Sequence, residues 1–456
     1  MVLKGVKSCK KGKETHYKTH QIWIKKGHRM YPYFKEMAQN VKNMTNTTNF
    51  YIRQVYTGLT QEKELQPLQK EVTCYVFEAP SKAHPYVEYN FLDCLFKVTA
   101  QHDYRSLPTQ TSQSIMKTVF QNWKSFFSSL KEYKKNPAKY KGRPRISKYS
   151  LASEKEVLFT NQDCVIKEKK FLKFPKTKER LNIGKLGAGE GKLKQVRVIP
   201  KYGQYVVELV VDVPLKKEEC QEINRLMAID LGIDNLATMV TNTGSRPVFV
   251  KGRHVKSINQ YYNKMKAHYF GILRRGKQPN EGPFISNRLE KLHQIRYRKL
   301  KDLFHKVSFS IMKHAQEENI DTVIIGKNKD WKQCSTMGKR NNQSFVSIPH
   351  SLLISMIQYK AKEQGIKVIL TEESYTSKAS FLDGDEIPTY GECETKKTFS
   401  GKRIKRGLYR SKAGTIINAD VNGAANILKK AFLRLKEAAI FHKETIHVWH
   451  PQSKTV

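Results

Sequence analysis

Asp230 interrupts an apolar run, Met227-Ala228-Ile229-Asp230-Leu231-Gly232, and a second apolar stretch follows at 233–241. An acid inside a β-strand among apolar neighbours is costly unless a metal ion or hydrogen bonds compensate it. Alone, a D-x-G after a strand is a weak signal that gains value only with partners. Asp420 stands near the other end, in Ile417-Asn418-Ala419-Asp420-Val421-Asn422-Gly423-Ala424-Ala425, at the expected start of a helix. There it serves either as a simple N-cap or as a carboxylate sharing a cation at the helix terminus. The small residues 423–425 let that helix lie close against a sheet. Between these two, the strand-like Val368-Ile369-Leu370-Thr371 runs into Glu372 and Glu373. Carboxylates from separate elements meeting at one point are what a pair of Mg²⁺ ions requires, since Mg²⁺ takes oxygen ligands and is held by one or two carboxylates plus substrate phosphate. Two such ions, about 3.5–4 Å apart, activate a water and stabilise the leaving oxygen of a phosphodiester.

The charge agrees with a phosphodiester substrate. Lys and Arg number 83 against 41 Asp and Glu over 456 residues, a net charge of +42. Polyanion binding is the best reason for that imbalance. A membrane-surface role competes, but the charge is spread along the chain and is not gathered on one amphipathic helix. No apolar run approaches the roughly 20 residues that span a bilayer, and the Lys-rich start has no apolar stretch after it. Cys9, Cys74, Cys94, Cys164, Cys220, Cys334 and Cys393 are odd in number, far apart and without a C-x-x-C pair, which reads as reduced thiols in an intracellular protein.

The elements that must position the acids are legible in outline. The chain is long enough for two or three packed units. Residues 1–20 read as a basic arm and 20–26 as a strand, so 1–32 form an arm with a first strand. A helical region spans 33–150, with helices expected at 33–56 and after Pro108. The second has an apolar stripe of Ile115, Val119, Phe120, Trp123, Phe126, Phe127 and Leu130. The loop after it carries Lys141, Arg143 and Arg145 beside Gly142 and Pro144. It suits phosphate contact, and an ordinary solvated loop fits its composition equally. Alternating runs at 195–200 and 204–213 place an antiparallel sheet or small barrel over 151–223. From 224 to 456, strands at 225–241, 321–326 and 368–370 alternate with helices, which implies an α/β domain. A long basic helix at 284–319 is expected to bury Leu292, Ile295, Leu303, Val307 and Ile311, and its cations lie either along a duplex or in solvent.

Four segments together resemble the TnpB/OrfB proteins of bacterial insertion sequences and their eukaryotic and viral relatives, the Fanzor proteins. They are AIDLGIDNLATM at 228–239, IIGKNKDWKQ at 324–333, NNQSFVSIPHSLLISMIQYKAKEQGIKVILTEESYTSK at 341–378 and INADVNGAANILKK at 417–430. The resemblance is specific over about 225–430 and weaker before it. It implies an RNA-guided DNA endonuclease related to type V CRISPR effectors, with a RuvC-like RNase H-fold nuclease domain preceded by a wedge β-barrel and a helical recognition domain. It further implies an omega-type guide RNA and target double-stranded DNA as partners, base pairing reading the sequence and protein residues reading a short flanking motif. Two Mg²⁺ ions are implied as cofactors, with Mn²⁺ able to substitute. A monomer is the simplest expectation for a chain whose oligomeric state the sequence leaves open. Location follows the host: nucleus for a Fanzor protein, bacterial cytoplasm for a TnpB.

The chain departs from the family pattern twice. The second acid of most members ends the strand that here reads Val323-Ile324-Ile325-Gly326, so a glycine stands in its place. A subset carries the acid just before the Tyr-Thr-Ser step, which points to Glu373, with Glu372 as the alternative. The expected metal-holding trio is therefore Asp230, Glu373 and Asp420. The second departure is the zinc ribbon that two C-x-x-C pairs usually build before the last Asp. Here the segment at about 379–415 contains only Cys393, so no structural zinc is expected. Its cations Lys402, Arg403, Lys405, Arg406 and Arg410 are expected to grip a nucleic-acid strand, although they also match a nuclear-localisation run. Three rival functions remain: a guide-dependent DNA-binding protein whose nuclease has decayed, a transposase that works without a guide, and a basic RNA-binding scaffold.

Overall fold

The computed structural model describes residues 16–60, 64, 67, 70, 86–189, 191–213, 225–328, 338–389, 398–435 and 445–454. Most of the basic arm, the expected domain junction at 223/224, residues 329–333 of the second matching segment and Cys393 lie outside them. The chain divides into two compact units, Met1–Leu215 and Lys216–Val456.

In the first unit, β1 (His16–Ile24) precedes a helical run of α1 (Tyr31–Thr60), α2 (Tyr89–Val98), α3 (His102–Ser106) and α4 (Thr109–Lys135). Six strands follow: β2 (Val157–Thr160), β3 (Val165–Lys167), β4 (Phe171–Lys173), β5 (Arg180–Asn182), β6 (Lys192–Lys201) and β7 (Gln204–Val213). The ladders form two sheets, ordered β1-β7-β6-β2 and β3-β4-β5. β1 and β2 are the outer strands of the first. The β6–β7 hairpin turns through Tyr202 and Gly203, at φ 53° and 65°, the doubly left-handed turn that suits the right-handed twist of paired strands.

The expected stripe of α4 is buried at Val119, Phe120 and Trp123. The Trp123 indole donates to Asn49 Oδ1 of α1 at 3.0 Å, so a polar ring nitrogen is satisfied inside the core. The helical region and the strands, expected as separate domains, share one apolar cluster in which Phe34, Phe96 and Trp123 pack with Phe159, Val198 and Val207. Residues 140–156 run along α1 as an extended strap. Ser150 N–H donates to Asn46 Oδ1 at 2.8 Å, and Lys155 N–H donates to the Ala38 carbonyl at 3.0 Å.

The second unit opens with β8 (Leu226–Asp230), β9 (Asn235–Thr241) and β10 (Val248–Lys251), then α5 (Arg253–Leu273), α6 (Asn287–Glu317), β11 (Thr322–Gly326), α7 (Lys339–Ser347) and α8 (His350–Glu363). It continues with β12 (Lys367–Thr371), β13 (Lys402–Lys405), β14 (Leu408–Arg410), β15 (Ile416–Asn418), α9 (Ala419–Leu435) and β16 (Gln452–Lys454). The main sheet is mixed, ordered β12-β11-β8-β9-β10-β16, and β12, β11 and β8 run parallel. Because side chains alternate along a strand, each strand feeds two cores. Met227, Ile229, Val323 and Ile325 pack on α6 and α8, whereas Leu226, Ala228 and Ile324 pack on α9. Among the described residues, no helix is long and apolar enough to cross a membrane.

The long basic helix is α6, capped by Ser286, whose hydroxyl accepts from Leu289 N–H at 3.3 Å. Its buried line differs from the one read off the sequence. Ile295 is 38% exposed, and Leu300 and Phe304 take the core positions. The sheet covers only the later turns. Earlier ones lie on α5, where Arg296 donates to Asn259 Oδ1 at 2.8 Å and stacks over Tyr262. A polar neighbour there turns the apolar stripe aside.

Candidate active site

Asp230 ends β8 on the face that α9 covers, since it follows Leu226 and Ala228 at intervals of two. On the neighbouring strand Ile325 pairs with Ile229, so Gly326 lies one position further, at the same carboxyl edge as Asp230. Gly326 pairs in turn with Thr371, the last residue of β12, and Glu373 comes two residues later. Ends of adjacent parallel strands are where open α/β sheets place their sites. Helix α9 crosses this edge so closely that a Cβ on Gly423 would lie 2.8 Å from Asp230 Oδ2. Only a glycine admits the approach. Asp420, about one helical turn earlier, joins from above. It is not the cap of α9: Asn418 Oδ1 accepts from Asp420 N–H at 2.9 Å and Val421 N–H at 3.3 Å, so the Asp420 carboxylate does not serve the helix end.

Burial and neighbouring acids act on Asp230 and on Glu373. Burial and then the Asp420 charge raise the Asp230 carboxyl well above the usual range, with Arg403 opposing. Burial, then Asp230 and Glu372, raise Glu373, with Lys430 opposing. Glu372 behaves differently. Burial would raise it, but hydrogen bonds from Lys430 and Ser374 outweigh burial and hold it below the ordinary glutamate range. So Glu373 turns toward Asp230 and Glu372 toward Lys430. An acid raised in the fold keeps a proton that the unfolded chain has released. Stability is therefore full below the unfolded pKa of about 4 and falls as pH rises through the raised values of Asp230 and Glu373. For metal-free protein, the melting temperature of Asp230→Asn should exceed that of wild type by a margin that grows between pH 5 and 8, measured by scanning calorimetry.

Gly326 leaves the room that Glu373 uses. A Cβ there would meet Glu373 Oε2 at 2.5 Å and Ile427 Cδ1 at 2.6 Å. Gly326→Ala should cost about 1–3 kcal/mol in urea unfolding through overpacking, and should push Glu373 off its place. An unchanged unfolding midpoint would show that Glu373 moves without cost.

Sequence reasoning missed several participants. Asn235 Nδ2 donates to Asp420 Oδ2 at 2.7 Å, fixing that carboxylate from the start of β9. The signal was a polar residue opening a strand straight after the D-x-G turn. Arg403, read only as a nucleic-acid cation, lies 3.9 Å from Asp420 Oδ1. Arg406 pairs with Asp234, which also pairs with Lys256. The β13–β14 hairpin thus carries its basic residues beside the acids, with Lys402, Lys405 and Arg410 exposed. Lys141, Arg143 and Arg145 are exposed on the strap of the first unit.

Among the described residues, no three His, Cys, Asp or Glu side chains close on one point as tightly as an ion demands. Three carboxylates with an amide beside them are nonetheless hard oxygen donors, the set that fits Mg²⁺ or Mn²⁺. The glycine at 423 lets α9 approach the Asp230 carboxylate closely.

A mixed sheet covered on both faces, with acids gathered at the carboxyl ends of its parallel strands, defines the second unit as an α/β domain with an acidic edge. The OrfB_IS605 family model, described as a probable transposase, matches residues 204–332, and the Cas12f1-like TNB domain model matches 350–427. Over these two regions the chain is similar to OrfB/TnpB and Cas12f1-like proteins. A TnpB-like protein, ORF457 of Acidianus two-tailed virus, is 26% identical over 212 residues, 46% of this chain and 42% of that protein. The CRISPR-associated endodeoxyribonuclease Cas12f1 of Sulfoacidibacillus thermotolerans is 26% identical over 213 residues, 45% of this chain and 46% of that protein. The matches thus span less than half of these curated relatives. Among solved structures, a Cas12f1–sgRNA–target DNA complex aligns at TM-score 0.48 and 15% identity, covering 87% of this chain and 82% of that one. The mini-RNA-guided endonuclease Cas_phi3 aligns at TM-score 0.44 and 9% identity, covering 91% and 92%.

Proposed function

We propose that this chain is an RNA-guided DNA endonuclease. It binds a guide RNA, meets a short motif beside its double-stranded DNA target, and hydrolyses phosphodiester bonds with two Mg²⁺ ions held by Asp230, Glu373 and Asp420. The observation that carries the reading is the gathering of these acids at one sheet edge, in the unit that holds most of the OrfB_IS605 match and all of the Cas12f1-like TNB match. In this reading the second unit is a RuvC-like nuclease domain, the strands of the first unit form the wedge, and its helices form the recognition domain. The insertion near 379–415 works without zinc. Its turns are held by Asp383 and Asp385, which accept hydrogen bonds from Ser380, Ser400 and Lys412.

The bound ions would supply an activated water and a partner for the leaving oxygen. The chain's own residues do the rest. Asn235 orients Asp420. Gly326 and Gly423 leave space that lets the acids face one another across the strand ends. Lys402, Lys405 and Arg410 offer donors to the phosphates of a strand led past the acids, with Arg403 closest to them. On the first unit Lys141, Arg143 and Arg145 add a second cationic contact.

The test is plasmid cleavage by the protein with its co-purified RNA and Mg²⁺, across a library of flanking motifs. Guide-dependent cutting is expected. Guide-dependent binding without any cutting would leave a DNA-binding protein whose nuclease has decayed, and strand joining that survives RNase treatment would make it a transposase.

A further inference from the structure

Asp230 and Glu373 are fixed by different means. Asp230 closes a strand and pairs with Thr238 in the β8–β9 ladder. Glu373 lies two residues beyond Thr371, where the β11–β12 ladder ends, so the sheet does not hold its backbone. The hydrogen bonds around it converge instead on Lys430 of α9. The Lys430 ammonium bonds to the Glu372 carboxylate, to the Ser374 carbonyl at 3.1 Å and to the Pro388 carbonyl at 3.0 Å. An ammonium has three N–H groups, and here three acceptors meet them. Its side chain is 4% exposed. Burying a lysine charge is costly unless its partners are well placed, so a helix that keeps one there gains something other than packing.

Two of those acceptors belong to the residues on either side of Glu373. The brace is completed locally: Asn328 Oδ1 accepts the Glu373 N–H at 2.9 Å, and the Thr376 hydroxyl donates to the Glu373 carbonyl at 2.9 Å. Lys430 shares its helix with Asp420, which lies ten residues and about 15 Å earlier along the axis. One rigid element therefore carries one acid and ties down the segment that presents another.

We propose that Lys430 is the positioning residue for Glu373. From α9 it braces residues 372–374 so that the Glu373 carboxylate stays beside Asp230, an inference that rests on reading Glu373 as a metal-holding acid. Groups that orient metal ligands typically matter about 10- to 100-fold in metal affinity or activity. A merely structural lysine would change the melting temperature alone.

The test uses the full-length chain in two assays. Mn²⁺ binding to the RNA-free protein is followed by electron paramagnetic resonance, with Asp230→Asn defining the contribution of the site. The Mg²⁺ dependence of DNA cleavage is measured on the RNA-loaded protein. The key variant is Lys430→Met with Glu372→Gln, which removes both charges and strands neither in the core. It should bind Mn²⁺ about 10- to 100-fold more weakly and shift the Mg²⁺ half-saturation upward to match, and Lys430→Arg should fall between it and wild type. Wild-type Mn²⁺ affinity and Mg²⁺ dependence in the double variant would overturn the proposal. If wild type binds Mn²⁺ through Asp230 but cuts no DNA, the nuclease reading fails, and the brace stands or falls on Mn²⁺ affinity alone. If Asp230→Asn binds Mn²⁺ as wild type does, the assignment of the acids fails and the brace with it.

Discussion

Loaded with its RNA and supplied with Mg²⁺, the Asp230→Ala protein should cut target DNA at least about 10³-fold more slowly than wild type, equivalent to about 4 kcal/mol of lost transition-state stabilisation. Asp230 is the middle member of the acidic cluster: the charge of Asp420 acts on it, and its own charge acts on Glu373. On the proposed reading, removing it takes away the ligand that both ions would share. Asp420→Ala and Glu373→Ala should lose as much, while RNA binding by all three stays near wild type, because removing a carboxylate leaves the exposed cations of the chain in place. Single-turnover cleavage and filter binding on the same preparations separate the two quantities. Loss of RNA binding along with cleavage would point to misfolding. Full activity in Glu373→Ala with loss in Glu372→Ala would exchange the roles of the two glutamates.

Raising salt from 50 to 200 mM should weaken target-DNA binding by roughly 10³ to 10⁵ if about 6–10 phosphates are neutralised, since each neutralised phosphate releases counterions. A net charge of +42 makes such a number of phosphates reasonable, and exposed cations are found on both the strap near Lys141 and the β13–β14 hairpin. Replacing Lys402, Lys405 and Arg410 together by Ala should flatten the logarithmic salt slope by up to about 3, at roughly 0.9 for each phosphate that is no longer neutralised. Fluorescence anisotropy over a salt series reads the slope directly. An unchanged slope would remove the hairpin from the interface.

The sequence by itself carried the parts that depend on neighbours along the chain. The buried run ending at Asp230, the strand at 322–326, the helix beginning at Ala419 and the apolar stripe of α4 follow from periods of two and of 3.6, which tertiary contacts reinforce. The small residues at 423–425 likewise marked close approach, and Gly423 lies against Asp230 as that spacing implies. The absence of an acid at 326 was plain from one letter.

Which of Glu372 and Glu373 faces Asp230 was not, and there the tertiary structure decided. Glu372 and Glu373 lie past the end of β12, where strand alternation no longer fixes direction. Their facing is set by Lys430, 58 and 57 residues downstream, and by the space above Gly326. The cap of α9 fell to Asn418 for a similar reason, since the preceding strand delivers that side chain to the helix end. Arg403 meets Asp420 only because β13, β14 and β15 form one small sheet that leads into α9. On α6, periodicity located a buried face but misplaced Ile295, because a polar contact with α5 shifted which residues meet the sheet. Local pattern determines which residues form a strand or helix and which are apolar. Which acid faces which is settled by distant cations and glycines, because charge and available space act across the fold whatever the separation in sequence.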